Sequence, residues 1–175
     1  MVSVTCKLTA DNVVLEVKLA NENGALETLD LQAGNGEDWT QEKSVTFKQT
    51  LERASIWIHA EDFDSGGRDC VDGGLVVHCE ATDTLSPWHN FGTNLQNWKS
   101  EDGKELCSNQ NARFIKGAPN WLKDILNKGA EHIWVDGSRH VKLLGTPVCP
   151  YSTTLSFFTN DIFSFMSLQV KITSF

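Results

Sequence analysis

Two stretches in the middle of the chain place histidines, a tryptophan and carboxylates where strands are predicted. They read ASIWIHAE at 54–61 and LVVHCEAT at 75–82. If they pair antiparallel with position numbers that sum to 137, one face is wholly apolar. The opposite face then carries the polar set, Trp57, His59, His78 and Glu80. An aromatic ring beside imidazole and carboxylate groups on one sheet face is typical of a surface that binds a sugar or another small polar ligand.

The same register places His59 and His78 directly opposite one another. Cβ atoms of such a pair lie about 4.5–5.5 Å apart, close enough for both imidazoles to share a ligand or a metal ion. A shift by one residue would bury His78 and Glu80 among isoleucines, so the hydrophobic pattern favours this register. A metal-dependent hydrolase using His59, His78 and Asp62 is therefore one candidate function. The alternative is a solvated pair of histidines without a ligand.

The segment that connects these strands is acidic and rich in glycine. Residues 61–83 contain seven acidic side chains and a single basic one, Arg68. Carboxylates on a bendable backbone are the ligands that Ca²⁺ prefers, so the segment predicts a calcium site. Its candidate ligands are Asp62, Asp64, Asp69 and Asp72. The spacing does not match an EF-hand, since Gly73 stands where the bidentate glutamate belongs. An unliganded acidic loop is the alternative.

Two of the six tryptophans lie in polar surroundings. Trp88 precedes His89 in the segment SPWHN, and Trp98 lies in NLQNWK. An indole face can stack on a sugar ring while neighbouring polar groups bind hydroxyls. Trp88, His89 and Trp98 are therefore candidate ligand contacts. The alternative is that both tryptophans anchor the long polar segment 83–111 to the core.

The chain contains none of the common short catalytic motifs. It has no P-loop, nucleophile elbow, HExxH helix or dinucleotide-binding glycine pattern. We therefore expect a non-catalytic ligand-binding module that binds carbohydrate as a lectin does, with the assistance of calcium. Catalysis is left open. The alternatives are a metal-dependent hydrolase and a structural or self-assembling protein. Five phenylalanines in residues 157–175 would form a homodimer interface if they were exposed.

Period-two alternation dominates the first half of the chain. Val13, Leu15 and Val17 share one face, and the dipeptide Asp11-Asn12 predicts a turn, so residues 3–19 are expected to form a hairpin. One helix is predicted over 119–128, where it would plug one end of the fold. Further strands are expected near 26–31, 44–49, 54–61, 75–82, 112–116, 132–136, 140–144, 153–159 and 164–174.

About ten short strands separated by turn residues indicate an all-β fold. We expect an antiparallel β-sandwich of jelly-roll or galactose-binding-like type, with one short helix. The length of 175 residues fits a single domain over 1–175. The long segment 83–111 is expected to be functional, because loops of that length are uncommon in compact domains.

Composition restricts the partners and the compartment. A net charge of −8 disfavours nucleic acid, and no apolar run is long enough for a membrane span. The five cysteines include no CxxC pair, so a zinc ribbon is not indicated. In an oxidising compartment they would form two disulfides and leave one thiol. Residues 1–25 do not resemble a leader. We expect an extracellular protein whose leader is absent from this chain, with a cytoplasmic protein as the alternative.

Overall fold

The computed structural model describes residues 1–21, 23–32, 38–49, 54–63, 70–71, 73–110 and 112–148. Nine strands and two short helices lie within these ranges. In chain order they are β1 (Val2–Asp11), β2 (Val13–Ala20), β3 (Leu26–Thr28), β4 (Lys43–Gln49), β5 (Ser55–Glu61), β6 (Gly74–Ala81), β7 (Phe91–Gly92), β8 (Trp98–Ser100), α1 (Arg113–Lys116), α2 (Asn120–Asn127) and β9 (His140–Gly145).

The strands form two antiparallel sheets that pack face to face. The four-stranded sheet has the order β4-β1-β6-β7, and the five-stranded sheet has the order β3-β2-β5-β9-β8. One apolar cluster contains side chains from both sheets, including Leu8 and Ile58, so the core lies between them. The predicted all-β sandwich is confirmed.

Alternation along β1 shows why its sequence forms a half-buried strand. Val4, Cys6 and Leu8 are fully buried, whereas Thr5 is exposed and Lys7 is half-buried. The strand pairs with β4 on one side and with β6 on the other. Successive side chains of a strand point to opposite faces, so every second residue enters the core.

Two disulfides are present, as expected from the cysteine count. Cys6 and Cys79 face each other across β1 and β6, with Cα atoms 3.9 Å apart. Cys70 and Cys107 join the segment before β6 to the segment after β8. Cys149 lies outside the described residues. Disulfides of this kind are typical of oxidising compartments.

Neither predicted hairpin forms. β1 and β2 belong to different sheets, so the turn at Asp11-Asn12 carries the chain across the sandwich. In the same way β5 lies in the five-stranded sheet and β6 in the four-stranded sheet. β5 instead pairs with β2 and β9, and β6 pairs with β1 and β7. Two successive strands with apolar faces can bury those faces in one core when they lie side by side in a sheet or when they lie in the two facing sheets. The apolar pattern therefore does not distinguish a hairpin from a crossing between sheets.

Most of the other strands predicted within the described residues occur close to where they were predicted. The segments 44–49, 54–61, 75–82 and 140–144 are strands. The predicted strand at 112–116 is wrong, because residues 113–116 form α1. The segment 132–136 makes only isolated bridges, through Ile133 and Trp134. The predicted strands 153–159 and 164–174, with the phenylalanines around them, lie outside the described residues.

The predicted helix is α2, but it does not plug an end of the sandwich. Leu122 and Ile125 are buried in a second apolar cluster with Val76 of β6. Val76 points away from the main core, so α2 covers part of the outer surface of the four-stranded sheet. Neither described helix has the length and apolarity needed to cross a membrane.

We predict that each disulfide stabilises the fold. Replacing Cys6 and Cys79 together by alanine should lower the free energy of unfolding by about 2–4 kcal/mol, since cross-links restrict the unfolded chain. Replacing Cys70 and Cys107 should cost less, because 37 residues separate them instead of 73. Urea unfolding of both double variants measures this order, and a larger loss for the second pair would contradict it.

Candidate functional site

The residues predicted from sequence to form one site are divided between opposite surfaces. Trp57 and His59 lie on the outer face of the five-stranded sheet, whereas His78 and Glu80 lie on the outer face of the four-stranded sheet. Packed sheets are separated by about 10 Å, so His59 and His78 cannot share a ligand. The metal-dependent hydrolase built on His59, His78 and Asp62 is therefore wrong as a site.

Trp88 and Trp98 are core residues. Their exposed fractions are 1% and 4%. The Trp88 ring packs edge-on against Phe47 at 5.0 Å and Phe91 at 5.4 Å between centroids. Phe91 stacks on Trp98 at 5.8 Å, and the Trp98 Nε1 donates to the Gly92 carbonyl at 3.0 Å. The two tryptophans thus anchor the segment 83–111, and neither presents a ring face to a ligand.

The outer face of the four-stranded sheet is partly closed. His78 is 2% exposed, and its Nε2 has no hydrogen-bond partner among the described residues. Burial lowers the pKa of His78. The Lys128 ammonium donates to the exposed Glu80 carboxylate at 2.7 Å. His89 is half-buried, with Nδ1 3.3 Å from the Ala81 carbonyl oxygen. An ion pair from the end of α2 therefore occupies the surface that was expected to hold a ligand.

The outer face of the five-stranded sheet gathers a different set of polar side chains. Cross-strand pairing aligns Lys18 of β2 with Trp57, and Glu16 of β2 with His59. On the other side, β9 aligns Lys142 with His59. We call this surface the Trp57 face and define it by Glu16, Lys18, Trp57, His59, Glu61, Glu101, Arg139, His140 and Lys142.

The Trp57 ring is held at the centre of this face. Its Nε1 donates to the Glu101 carboxylate at 3.3 Å. The ammonium groups of Lys18 and Lys142 lie 4.9 and 5.9 Å from the ring centroid, within the range of cation–π attraction. Trp57 is 7% exposed in this arrangement. The two ammonium groups therefore lie close to a ring that is almost fully buried.

Two imidazoles extend the face beyond Trp57. The His59 centroid lies 6.0 Å from the Trp57 ring and 6.0 Å from that of His140. The Glu61 carboxylate lies 3.4 Å from the His140 Nε2 and accepts a hydrogen bond from the Arg139 Nε at 3.0 Å. Burial, followed by the charge of Lys142, lowers the pKa of His59, which favours the neutral imidazole.

Sequence reasoning missed His140. The signal was the alternation in HVKLL, which places His140 and Lys142 on one polar face of a predicted strand. Because the pairing of that strand with 54–61 is not encoded in the alternation, nothing in the sequence brought His140 next to His59.

One of the four predicted calcium ligands lies within the described part of the chain. Asp62 is 5% exposed and lines a small cleft with Asp136. The Asp136 carboxylate accepts a hydrogen bond from the Cys70 amide at 3.3 Å. No group of three or more candidate metal ligands is assembled among the described residues. Calcium binding therefore stays a prediction, since three of its ligands lie outside those residues: Asp64, Asp69 and Asp72.

Comparisons with protein-family models, curated proteins and solved structures found no match. The finer assignment to a jelly-roll or galactose-binding-like fold therefore stays a prediction.

Sequence reasoning also missed His132, which joins the segments that contain Asn109 and Gly73 by hydrogen bonds. His132 is fully buried, its Nδ1 accepts from the Asn109 amide at 3.4 Å, and its Nε2 lies 2.7 Å from the Gly73 carbonyl oxygen. Since a carbonyl oxygen only accepts, Nε2 carries the proton and the imidazole is neutral. Burial lowers its pKa to about 4.

We predict that His132 makes the fold sensitive to acid. The unfolded chain binds the proton more readily than the folded one, so stability is lost as the pH falls from about 6.5 towards 4, by on the order of 3 kcal/mol. His132→Gln should start less stable at pH 7 and lose less stability on acidification. Urea unfolding at pH 7, 5.5 and 4.5 measures the difference. Parallel pH dependence in both proteins would contradict the assignment.

Proposed function

We propose that this protein is a non-catalytic binding module that takes a carbohydrate on the Trp57 face. The observation that carries the proposal is the position of Trp57 at the centre of an outward sheet face, surrounded by carboxylates, ammonium groups and imidazoles. A sugar ring presents apolar C–H groups to an indole and hydroxyls to the charged groups around it. The Trp57 face offers both kinds of contact.

The charges on this face are paired. Lys18 contacts Glu16 at 2.8 Å, and Lys142 lies 3.7 Å from Glu101. Arg139 and His140 both lie close to the Glu61 carboxylate. Because cations and anions alternate without a large excess of either, the surface suits a neutral ligand with many hydroxyl groups better than a polyanion. The overall charge of −8 acts in the same direction.

A ligand reaches the Trp57 ring by displacing Lys18. The Lys18 side chain is 23% exposed, and its partner Glu16 is 35% exposed. Because this ion pair is half-buried, breaking it costs more than the about 0–1 kcal/mol of a solvent-exposed pair, and the contacts of the ligand must offset that cost. The hydroxyls of the ligand would then replace the ring as partners of the lysine and the carboxylates.

The two disulfides support an extracellular location, because such bonds persist in oxidising compartments. A glycan ligand agrees with that location. The alternatives of a homodimer or a self-assembling protein were based on the phenylalanines of 157–175, which lie outside the described residues. No described contact favours them over ligand binding.

Replacing Trp57 by alanine should weaken glycan binding by about tenfold or more, since buried aromatic anchors dominate recognition energies. Glycan-array binding followed by titration of the best hit measures the loss. Trp121→Ala is the control, because Trp121 is a half-buried tryptophan whose Nε1 donates to the Thr40 carbonyl away from the Trp57 face.

Two results would overturn the placement. One is a wild-type protein that binds no glycan, and the other is a Trp57→Ala protein that binds as well as the wild type. Trp57→Phe separates ring stacking from the hydrogen bond to Glu101. Phenylalanine keeps an aromatic face but lacks the N–H group that contacts Glu101.

If calcium assists glycan binding, it should also stabilise the folded protein. Calcium at about 1 mM, where extracellular calcium modules bind, should raise the melting temperature relative to EDTA, since a ligand of the folded state stabilises it. Asp62→Asn should reduce the shift, whereas Asp102→Asn should leave it unchanged, because Asp102 is exposed and pairs with Lys104. An unchanged melt would remove calcium and leave the glycan proposal standing.

A further inference from the structure

The five-stranded sheet brings two histidines together that the sequence separates by eighty residues. His59 of β5 lies opposite Lys142, and His140 of β9 lies opposite Glu61, so the histidines are diagonal neighbours on adjacent strands. We propose that His59 and His140 form a two-imidazole chelate for a divalent transition-metal ion, with Cu²⁺ bound more tightly than Ni²⁺ or Zn²⁺. This site does not depend on the proposed glycan binding.

The spacing of the rings suits one shared ion. Their centroids are 6.0 Å apart, with an angle of 48° between the ring planes. Metal–nitrogen bonds of about 2.0–2.1 Å place two imidazole centroids about 5–6 Å apart on one ion. The His140 side chain is 54% exposed and free to adjust its rotamer. The paired backbones of β5 and β9 hold both Cα positions, so a small movement of one ring completes the chelate.

Glu61 prepares His140 for this role. The Glu61 Oε1 lies 3.4 Å from the His140 Nε2, close enough for the carboxylate to accept the Nε2–H when the ring binds a metal through Nδ1. Carboxylates that accept from the second nitrogen of a ligating histidine orient the ring and raise its basicity. The Arg139 Nε donates to the same oxygen at 3.0 Å and holds the carboxylate in place.

The number of ligands determines which ion is favoured. The described residues assemble no group of three His, Cys, Asp or Glu side chains that could hold a metal ion, so the chelate has two protein ligands and leaves its remaining positions to water. Structural zinc sites use four protein ligands, whereas Cu²⁺ forms the strongest complexes of the divalent series with nitrogen and oxygen donors. A chelate of two imidazoles therefore selects Cu²⁺ first.

The charges around the pair permit a cation. Glu16 aligns with His59 on β2, and Glu61 lies two residues further along β5. These carboxylates attract the ion, while Lys142 repels it. The Lys142 ammonium lies 3.7 Å from the Glu101 carboxylate, which offsets part of that repulsion.

The test uses the full chain without a histidine tag, titrated with CuCl₂, NiCl₂ and ZnCl₂ by calorimetry. We expect one Cu²⁺ per chain, and an electron paramagnetic resonance spectrum with two nitrogen ligands. His59→Ala and His140→Ala should each weaken Cu²⁺ binding by about tenfold or more, because the second imidazole of a chelate binds intramolecularly. The affinity of the double variant for Cu²⁺ should be less than tenfold weaker than that of either single variant, because one substitution already removes the chelate.

His89→Ala is the matched control, since His89 is half-buried on the opposite side of the sandwich. It should bind Cu²⁺ like the wild type. Absence of saturable Cu²⁺ binding, or unchanged affinity in His140→Ala, would overturn the proposal. Melting curves show whether each metal-free variant is folded. Glycan binding measured with calcium present and without added Cu²⁺, Ni²⁺ or Zn²⁺ tests the other proposal separately, so either can fail alone.

Discussion

Burial of the two inner sheet faces against each other is the constraint on which the rest of the structure depends. Leu8 of the four-stranded sheet and Ile58 of the five-stranded sheet are both fully buried in the shared core. Burying one such side chain contributes about 1.5–3 kcal/mol. Because side chains alternate along a strand, burial of one face turns the other outward. Trp57 and His59 are thereby directed to one surface, and His78 and Glu80 to the other.

The two outward surfaces then differ in what covers them. α2 packs on Val76 of the four-stranded sheet, and its last turn leads to Lys128, which pairs with Glu80. Among the described residues, the side chains over Trp57 on the five-stranded sheet are paired with carboxylates: Lys18 with Glu16 in a half-buried pair, and Lys142 with Glu101 in an exposed one.

Local patterns predicted many elements correctly. The strands at 54–61 and 75–82 and the helix at 119–128 follow from the periodicity of their apolar residues. The polar neighbours of Trp88 and Trp98 make both residues candidate ligand contacts. Some of these neighbours, such as Asn90 and Gln96, are exposed while the indoles enter the core, so the polarity of adjacent residues does not indicate whether the rings are buried.

The sequence by itself determined the all-β architecture, the side of β1, β5 and β6 that enters the core, and a cysteine count that allows two disulfides. In β2 the predicted common face of Val13, Leu15 and Val17 is wrong, because a bulge between Val14 and Glu16 leaves Leu15 47% exposed. Only the tertiary structure decided which strands are neighbours. A strand with alternating residues buries its apolar face in the core whichever strands are hydrogen-bonded to its edges. Alternation therefore fixes the inner face of a strand but not its neighbours in the sheet. The choice of β9 instead of β6 beside β5 is a long-range result of packing. As a result, the histidine next to His59 is His140 and not His78.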